Sequence, residues 1–569
     1  MDIGDALLGN GLINAQQLER ARSVQAAEGI RLDQALIKLG MVDEEDLLRT
    51  IGQEVGLKYV DLSDAKVDLS LLKRFPLRII HRESIFPIEQ KNGSIVVATS
   101  DPFNLYPLDE ISVATGKTVI PVLASRSEIA KLIKTHLGVG SETIDGLIAQ
   151  AQEEAIEVID QGEGDGSELS EMAQEPSVVR LVNEILLEAL ELGASDVHIE
   201  PQASGLQIRY RLDGVLHPQP VPPEITRFQA AIISRVKIMA RLNIAERRLP
   251  QDGRIQLKVA GREVDVRVSI IPMVHGEGVV LRLLDKGGME FTLSRLGMSD
   301  QLLRMFRELI RLPHGIILVT GPTGSGKTTT LYSALLEIRN PGVKIITTED
   351  PVEYQLEGIN QIQVHPKIGL TFAHSLRSIL RHDPDIILVG EIRDLETAEN
   401  AIQAALTGHL VFSTLHTNDA ASAYTRLIDV GVEPFLVSST VEAVMAQRLV
   451  RTLCSHCKEP YQPQPEELPD DFPTERLKDH AIYRAVGCRA CRHVGYKGRV
   501  GLFELLVSTA RIRQLAHDRA SSWAIQQAAM SEGMRLLRQD GWEKVLEGRT
   551  TIEEVVRVTK GNELVYAHA

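Results

Sequence analysis

The chain has 569 residues, which at about 150 residues per domain predicts roughly four domains. With 43% hydrophobic and 24% charged residues it has the balance of an ordinary globular protein, and a wholly disordered chain is excluded. The 62 Lys and Arg stand against 77 Asp and Glu, a net charge of -15, which argues against a general nucleic-acid coat because such binding comes mainly from basic groups that neutralise phosphates.

No apolar run approaches the roughly 18 residues that span a bilayer. The start, Met1-Asp2-Ile3-Gly4-Asp5, lacks the basic region and apolar stretch of a signal peptide. A cytosolic chain is expected, with docking on a membrane complex left open to it.

Residues 1–53 carry a repeat of period 29: Leu7-Leu8, Gly11, Leu12-Ile13 and Leu18 recur as Leu36-Ile37, Gly40, Met41-Val42 and Leu47. Each copy reads as a short helix, a glycine stop and an amphipathic helix, and two copies predict a small self-packed helical module rather than a solenoid. Residues 54–135 mix strand-like runs such as Ser94–Thr99 with helical pieces, a compact α+β unit. From Ser141 to Glu175 there is no Lys or Arg, and Gly162-Glu163-Gly164-Asp165-Gly166 opposes regular structure. Like-charge repulsion with little to bury predicts a mobile linker and hinge there.

A helix from Val178 to Leu192 opens the next domain, and Leu206–Arg211 and Glu263–Val268 alternate as strands with one wet face. This α+β domain ends near Lys286. Beyond it, continuous apolar strands alternate with helical stretches, the pattern of a parallel sheet buried on both faces.

Gly321-Pro322-Thr323-Gly324-Ser325-Gly326-Lys327-Thr328 is a full G-x-x-x-x-G-K-T between the apolar run Ile316–Val319 and a helix-compatible stretch that begins with Thr329. In this setting a phosphate-binding loop is expected and a chance glycine-rich turn is not. Glycines let backbone N–H groups close around phosphates at a helix N-terminus. Lys327 is expected to neutralise the β- and γ-phosphates, and the Thr328 hydroxyl to ligate Mg²⁺.

A second apolar strand, Ile386–Val389, ends in Gly390-Glu391. As an acid at the tip of a strand neighbouring the loop strand, Glu391 is the candidate for Mg²⁺ and its waters. Between the two lies Ile345-Ile346-Thr347-Thr348-Glu349-Asp350, another strand ending in carboxylates. Hydrolysis needs a group that orients and deprotonates water, and Glu349 and Asp350 are the candidates. His409 and His416 bracket the strand Leu410–Thr414 and are candidates to lie near the γ-phosphate, although a lone His is more often structural.

The four cysteines form two C-x-x-C knuckles, Cys454/Cys457 and Cys488/Cys491, separated by 30 residues. Such knuckles read as a tetrathiolate Zn²⁺ site. Unrelated buried thiols or a redox dithiol are the alternatives, and the use of every cysteine favours the metal.

These motifs together resemble the secretion ATPase superfamily, specifically the type II secretion and type IV pilus assembly ATPases. The stretch Leu380–Asp394 is similar to that family's signature, and Ser195–Glu200, Leu249–Arg254 and Gly498–Glu504 extend the likeness. The resemblance implies an α/β fold with a RecA-like P-loop NTPase core at 287–569. That core includes a tetracysteine zinc element at 454–491 and C-terminal helices. A PAS-like α+β domain at 176–286 precedes it, after an acidic linker at 139–175 and a helical/α+β docking module at 1–138.

By the same resemblance Glu349 is the general base, Glu391 holds Mg²⁺ through water, and His409 and His416 belong to one histidine motif. Arg267 and Arg282 reach the phosphates as the PAS-like domain closes over ATP. Fixed, delocalised charge suits them to that task, with a strand-face salt bridge as the alternative. The tetracysteine element resembles that of assembly ATPases, which retraction motors lack.

The N-terminal repeat resembles a domain that in some members binds cyclic di-GMP through Arg-Leu-Gly motifs. Here Arg31-Leu32 is followed by Asp33, and Asp2 stands where the first copy needs arginine. Added carboxylates oppose a dinucleotide's phosphates, which favours protein docking. The family implies a homohexamer at the inner face of the cytoplasmic membrane, an inner-membrane platform protein and a cytoplasmic adaptor as partners. Rivals from other classes are a DNA uptake or transfer motor and a nucleotide-gated scaffold with little turnover.

Overall fold

A computed structural model describes residues 3–62, 67–75, 79–80, 83–91, 93–104, 106–137, 157–158, 175–259, 262–285, 291–478 and 480–559. Most of the acidic linker expected at 139–175 lies outside them. The chain divides into two compact units, Met1–Gly287 and Gly288–Ala569. Among the described residues, no helix is long and apolar enough to cross a membrane.

The first unit opens with the repeat: α1 (Ile3–Gly9), α2 (Ala15–Glu28), α3 (Leu32–Lys38) and α4 (Glu44–Val55). The period of 29 has a local cause. Asn14 and Asp43 stand 29 apart and cap α2 and α4 by accepting backbone N–H bonds from Gln17 and Glu45. Gly11 and Gly40, also 29 apart, take φ of 70° and 63°, a turn closed to most side chains. The apolar faces meet in one small core built on Leu7, Leu18, Leu36 and Leu47.

An α+β layer follows: β1 (Ile85–Lys91), β2 (Ser94–Thr99), α5 (Tyr106–Thr115), β3 (Val119–Leu123) and α6 (Arg126–Leu137). The strand order is β1-β2-β3, and the helices cover the apolar face.

Within the acidic segment, Glu157–Val158 (β4) pairs antiparallel with the edge of a larger sheet, a short element that the charge pattern did not predict. An edge strand offers unpaired N–H and C=O groups to any extended neighbour, whatever its side chains. That sheet has the order β4-β8-β9-β10-β5-β6-β7. Its strands are β5 (Asp196–Gln202), β6 (Gly205–Leu212), β7 (Val215–Gln219), β8 (Gln251–Val259), β9 (Arg262–Met273) and β10 (Gly276–Asp285). One face packs on α7 (Pro176–Glu191) and α8 (Gln229–Met239) through residues such as Ile185, Ile232, Val266 and Leu281. The other face is polar, as the alternation in β6 requires.

The second unit is built on a sheet of order β13-β12-β14-β15-β11-β16-β19. It comprises β11 (Gly315–Thr320), β12 (Ile345–Glu349), β13 (Asn360–Gln363), β14 (Ile386–Val389), β15 (Leu410–Leu415), β16 (Val441–Leu453) and β19 (Tyr496–Val507). The strands are parallel except β19, which runs antiparallel to β16. Every residue of β11, β12, β14 and β15 is buried, as the apolar runs predict, and β12 and β15 bury Thr347, Thr348, Glu349, Ser413 and Thr414 as well.

Two cores flank the sheet. Ile317, Val319 and Phe412 face α9 (Asp300–Leu309) and α10 (Lys327–Ile338). Leu318, Val411 and Val389 face α11 (Phe372–Ile379), α12 (Leu395–Leu406) and α13 (Ser422–Asp429). The remaining helices are α14 (Pro434–Thr440), α15 (Ala510–His517), α16 (Ser522–Ser531), α17 (Leu537–Leu546) and α18 (Ile552–Val558). A two-stranded ribbon of β17 (Glu459–Tyr461) and β18 (Ile482–Arg484) sits between the cysteine knuckles.

Candidate active site

The loop from Gly321 to Gly326 joins β11 to α10, and three of its glycines take left-handed or mirror-β conformations, with φ of 150°, 78° and 89° at Gly321, Gly324 and Gly326. A Cβ at Gly321 would lie 2.6 Å from the Ser325 hydroxyl and from the Gln447 carbonyl oxygen. At Gly326 it would lie 2.8 Å from the Gln447 amide nitrogen. Only glycine fits a loop curled this tightly against β16.

The loop's donors fit a phosphate. The Ser325 hydroxyl is buried with no partner among the described residues, and Thr328 is exposed at the helix N-terminus, where the backbone favours anions. Pro322 and Thr323 are exposed on the outer curve, and Thr329 is half-buried behind Thr328. Lys327 Nζ donates to the carbonyls of Gly321 (2.7 Å) and Pro322 (3.1 Å), folded back over the loop. Burial pushes its ammonium down to about 8, opposed by the Glu391 carboxylate and assisted by the Arg448 guanidinium.

The sheet order corrects one expectation. The strand bearing Glu391, β14, is not the neighbour of the loop strand: β15 lies between them. Sequence runs identify strands, but their lateral order follows from the crossover helices. The inserted strand supplies part of the site. Its following loop is stitched to the end of β11 by Thr417, whose hydroxyl meets that of Thr320 at 2.7 Å. His416 Nε2 lies 3.2 Å from a Glu391 oxygen, and Arg393 pairs with the other.

His409 is not brought there. It precedes β15 at the end opposite the phosphate loop, where its Nδ1 lies 2.9 Å from the Ala404 carbonyl at the end of α12. In a parallel sheet the carboxyl ends of the strands share one edge. A six-residue strand therefore separates the two histidines by about 20 Å. The expectation that His409 lies near the γ-phosphate is overturned, and its place at the helix end is the structural role of a lone histidine.

The two carboxylates at the end of β12 also part. Asp350 is exposed, whereas Glu349 is 5% exposed and bonded through both carboxylate oxygens. Its Oε1 accepts from Thr347 (2.6 Å) and Gln361 (3.1 Å), and its Oε2 accepts from the Tyr332 hydroxyl.

Arg267 and Arg282 belong to the first unit. They are register partners on β9 and β10, and the same row continues to Arg254 on β8, Asp196 on β5 and Arg211 on β6. Directly opposed residues share a face, so four arginines and one aspartate line the polar side. Asp196 takes Arg282 Nε at 3.0 Å and Arg211 Nε at 3.5 Å. The strand-face salt bridge is therefore present for Arg282, while its side chain stays half-exposed.

Sequence reasoning missed Tyr332, Thr320, Gln447 and Arg448. Gln447 and Arg448 lie on β16, more than a hundred residues from the loop, and join it only because β16 pairs with β11. Gln447 accepts from Thr330 at 2.7 Å, and Arg448 donates to Asn418 in the His416 loop at 2.9 Å. No local pattern marks them.

The cysteines converge because β16 and β19 are antiparallel neighbours: Cys454 follows one and Cys488–Cys491 precedes the other. All four Sγ atoms lie within 4.8 Å of one another. Three of the pairs stand at 3.7, 3.8 and 3.9 Å. Zn–S bonds of about 2.3 Å give tetrahedral edges near 3.8 Å, so this donor set fits zinc. Backbone N–H groups of Cys488 and Gly495 donate to the Cys491 sulfur, as suits a thiolate. The 30-residue gap is taken up by the β17–β18 ribbon and its loop.

Comparison with known proteins agrees with the sequence resemblance. Residues 171–557 match the family described as "Type II/IV secretion system protein", and residues 55–143 match the MshEN domain. "Type II secretion system protein E" of Xanthomonas campestris pv. campestris is 47% identical over 98% of this chain and 98% of its own length. "Type IV pilus assembly ATPase PilB" of Myxococcus xanthus is 42% identical over 97% of this chain and 98% of its own. Among solved structures, the Yersinia pseudotuberculosis ATPase DotB shares the fold at a TM-score of 0.50 and 21% identity, covering 72% of this chain and 99% of that one. The chain belongs to the type II/IV secretion system protein family, among its secretion and pilus-assembly ATPases.

Proposed function

We propose that the chain is a cytoplasmic motor that hydrolyses ATP to power type II protein secretion or type IV pilus assembly. The observation that carries this reading is the gathering of the phosphate loop, the Glu391–His416 pair and buried Glu349 at the ends of the parallel strands.

In this reading the loop N–H groups and Lys327 hold the β- and γ-phosphates. Glu349 accepts a proton from water as the water oxygen bonds to the γ-phosphorus and the bond to the bridging oxygen breaks, leaving ADP and phosphate. Thr328, and Glu391 through water, would hold Mg²⁺, which when bound supplies positive charge against the phosphates. Arg267 and Arg282, from a PAS-like domain at 176–286 that closes over ATP, add fixed charge to the γ-phosphoryl group. Arg282 exchanges its bond to Asp196 for that contact.

Cys454, Cys457, Cys488 and Cys491 hold a structural Zn²⁺. The RecA-like core at 287–569 assembles as a homohexamer on an inner-membrane platform protein, and the module at 1–138 docks to a cytoplasmic adaptor on its acidic tether. Arg31 supports docking over cyclic di-GMP, since its guanidinium is bonded to Asp33 (2.8 Å) and Asp101 (2.9 Å). The charge of -15 weighs against a nucleic-acid substrate.

Phosphate release with Mg²⁺, measured for wild type and Glu349→Gln, tests the chemistry. The variant should bind ATP and turn over at least about 100-fold more slowly. Equal rates would remove Glu349 from the reaction, and no release from either would favour the scaffold. Stimulation of hydrolysis by DNA would point to the DNA motor. In cells, Lys327→Ala should abolish exoprotein release or surface pili, and retention of both would refute the motor.

A further inference from the structure

Glu349 has about four lone-pair positions for donors when ionised. Oε1 already accepts from Thr347 and Gln361. Among the described residues Oε2 accepts from the Tyr332 hydroxyl alone, so its remaining lone pair is where a water proton can go.

Tyr332 sits five residues after Lys327 on α10, roughly 7.5 Å further along the axis. Aromatic side chains on a helix lean back toward its N-terminus, which here is the phosphate loop. The ring is fully buried and meets Phe291 edge-on at 5.5 Å.

The direction of the Tyr332 proton is also determined. An ionised carboxylate accepts and does not donate, so the hydroxyl is the donor in this bond. Burial and the Glu349 carboxylate hold the hydroxyl well above the usual tyrosine range, so it keeps that proton.

We infer that Tyr332 is a positioning residue for hydrolysis: its hydroxyl fixes Oε2 of Glu349 relative to the phosphate loop, from the helix that the loop itself begins. The inference rests on Glu349 being the base. A hydrogen bond to a charged group sets its direction as well as its energy, and a misdirected base loses rate rather than substrate affinity.

Tyr332→Phe in the full chain keeps the ring and removes only the hydroxyl. Its kcat should fall about tenfold while KM for ATP stays within about twofold. Added to Glu349→Gln, the same substitution should cost nothing further, because it acts through that carboxylate. Thr347→Val removes a donor from Oε1, where Gln361 remains, and should cost no more than about threefold in kcat.

An unchanged kcat in Tyr332→Phe, with Glu349→Gln inactive, would overturn this inference alone. So would an equal further loss in the double variant, a loss confined to KM, or losses in Thr347→Val as large as in Tyr332→Phe. An active Glu349→Gln would overturn the base assignment first. Thermal unfolding midpoints and binding of a fluorescent ATP analogue accompany each variant. Should Tyr332→Phe fail to fold, Thr347→Val decides: a tenfold loss there would refute the primacy of Oε2, and a threefold loss or less would uphold it.

Discussion

Glu504, on β19, connects the loop that carries His416 to the C-terminal helices and should make the second unit's stability fall with rising pH. Its carboxylate is 2% exposed and accepts from the backbone N–H of Ala420 (2.9 Å) and of Leu537 at the start of α17 (3.2 Å). Burial pushes it up to about 7, with the two N–H bonds and Arg448 pulling the other way.

A carboxylate whose folded value exceeds its unfolded one favours the fold fully below the unfolded value, near 4.5, and that contribution is lost as pH rises through about 7. The whole shift corresponds to about 3 kcal/mol, most of which is lost between about pH 5 and pH 8. The two tryptophans, Trp523 and Trp542, both lie in the second unit, so urea unfolding followed by their fluorescence reads that unit.

Glu504→Gln removes the titration. It also sets an amide N–H₂ against a backbone donor, a cost of about 1–3 kcal/mol that does not vary with pH. The difference in stability between wild type and variant should therefore shrink by roughly 2–3 kcal/mol from about pH 5 to pH 8. A difference constant across that range would refute the raised value and the burial argument behind it.

Three further outcomes follow from the same geometry. His416→Ala should slow hydrolysis about tenfold by releasing Glu391, whereas His409→Ala should leave the rate unchanged and cost about 1 kcal/mol of stability at the end of α12; steady-state rates and thermal melts decide, and equal losses of rate would contradict the strand geometry. Gln447→Leu, which strips the amide that holds Thr330 and packs on Gly326, should raise KM for ATP about fivefold; an unchanged KM would mean that β16 does not shape the loop. Metal analysis of protein purified without chelator should find about one zinc per chain, lost in Cys488→Ser together with a lower melting temperature. Four reduced thiols and no metal would remove the zinc assignment.

The sequence by itself determined what is local. The loop Gly321–Thr328 is legible because backbone curvature, a cation and a hydroxyl must occur within eight consecutive residues. The 29-residue repeat is legible because each copy encodes its own cap and its own positive-φ glycine. The apolar runs of β11, β12, β14 and β15 disclosed strands buried on both faces.

Tertiary structure alone decided what depends on lateral order and on direction across the sheet. Placing β15 between β14 and β11 sends His416 to Glu391 and leaves His409 at the far edge, although seven positions separate the two in sequence. Pairing β16 with β11 brings Gln447 and Arg448 beneath the loop, and pairing β16 with β19 closes the cysteine cluster. Glu349 and Asp350 are adjacent acids in the chain, yet one is enclosed by three donors and the other faces outward. Successive side chains diverge at a strand's end, and the packing of α10 and the pairing of β13 with β12 determine which of them meets its partners.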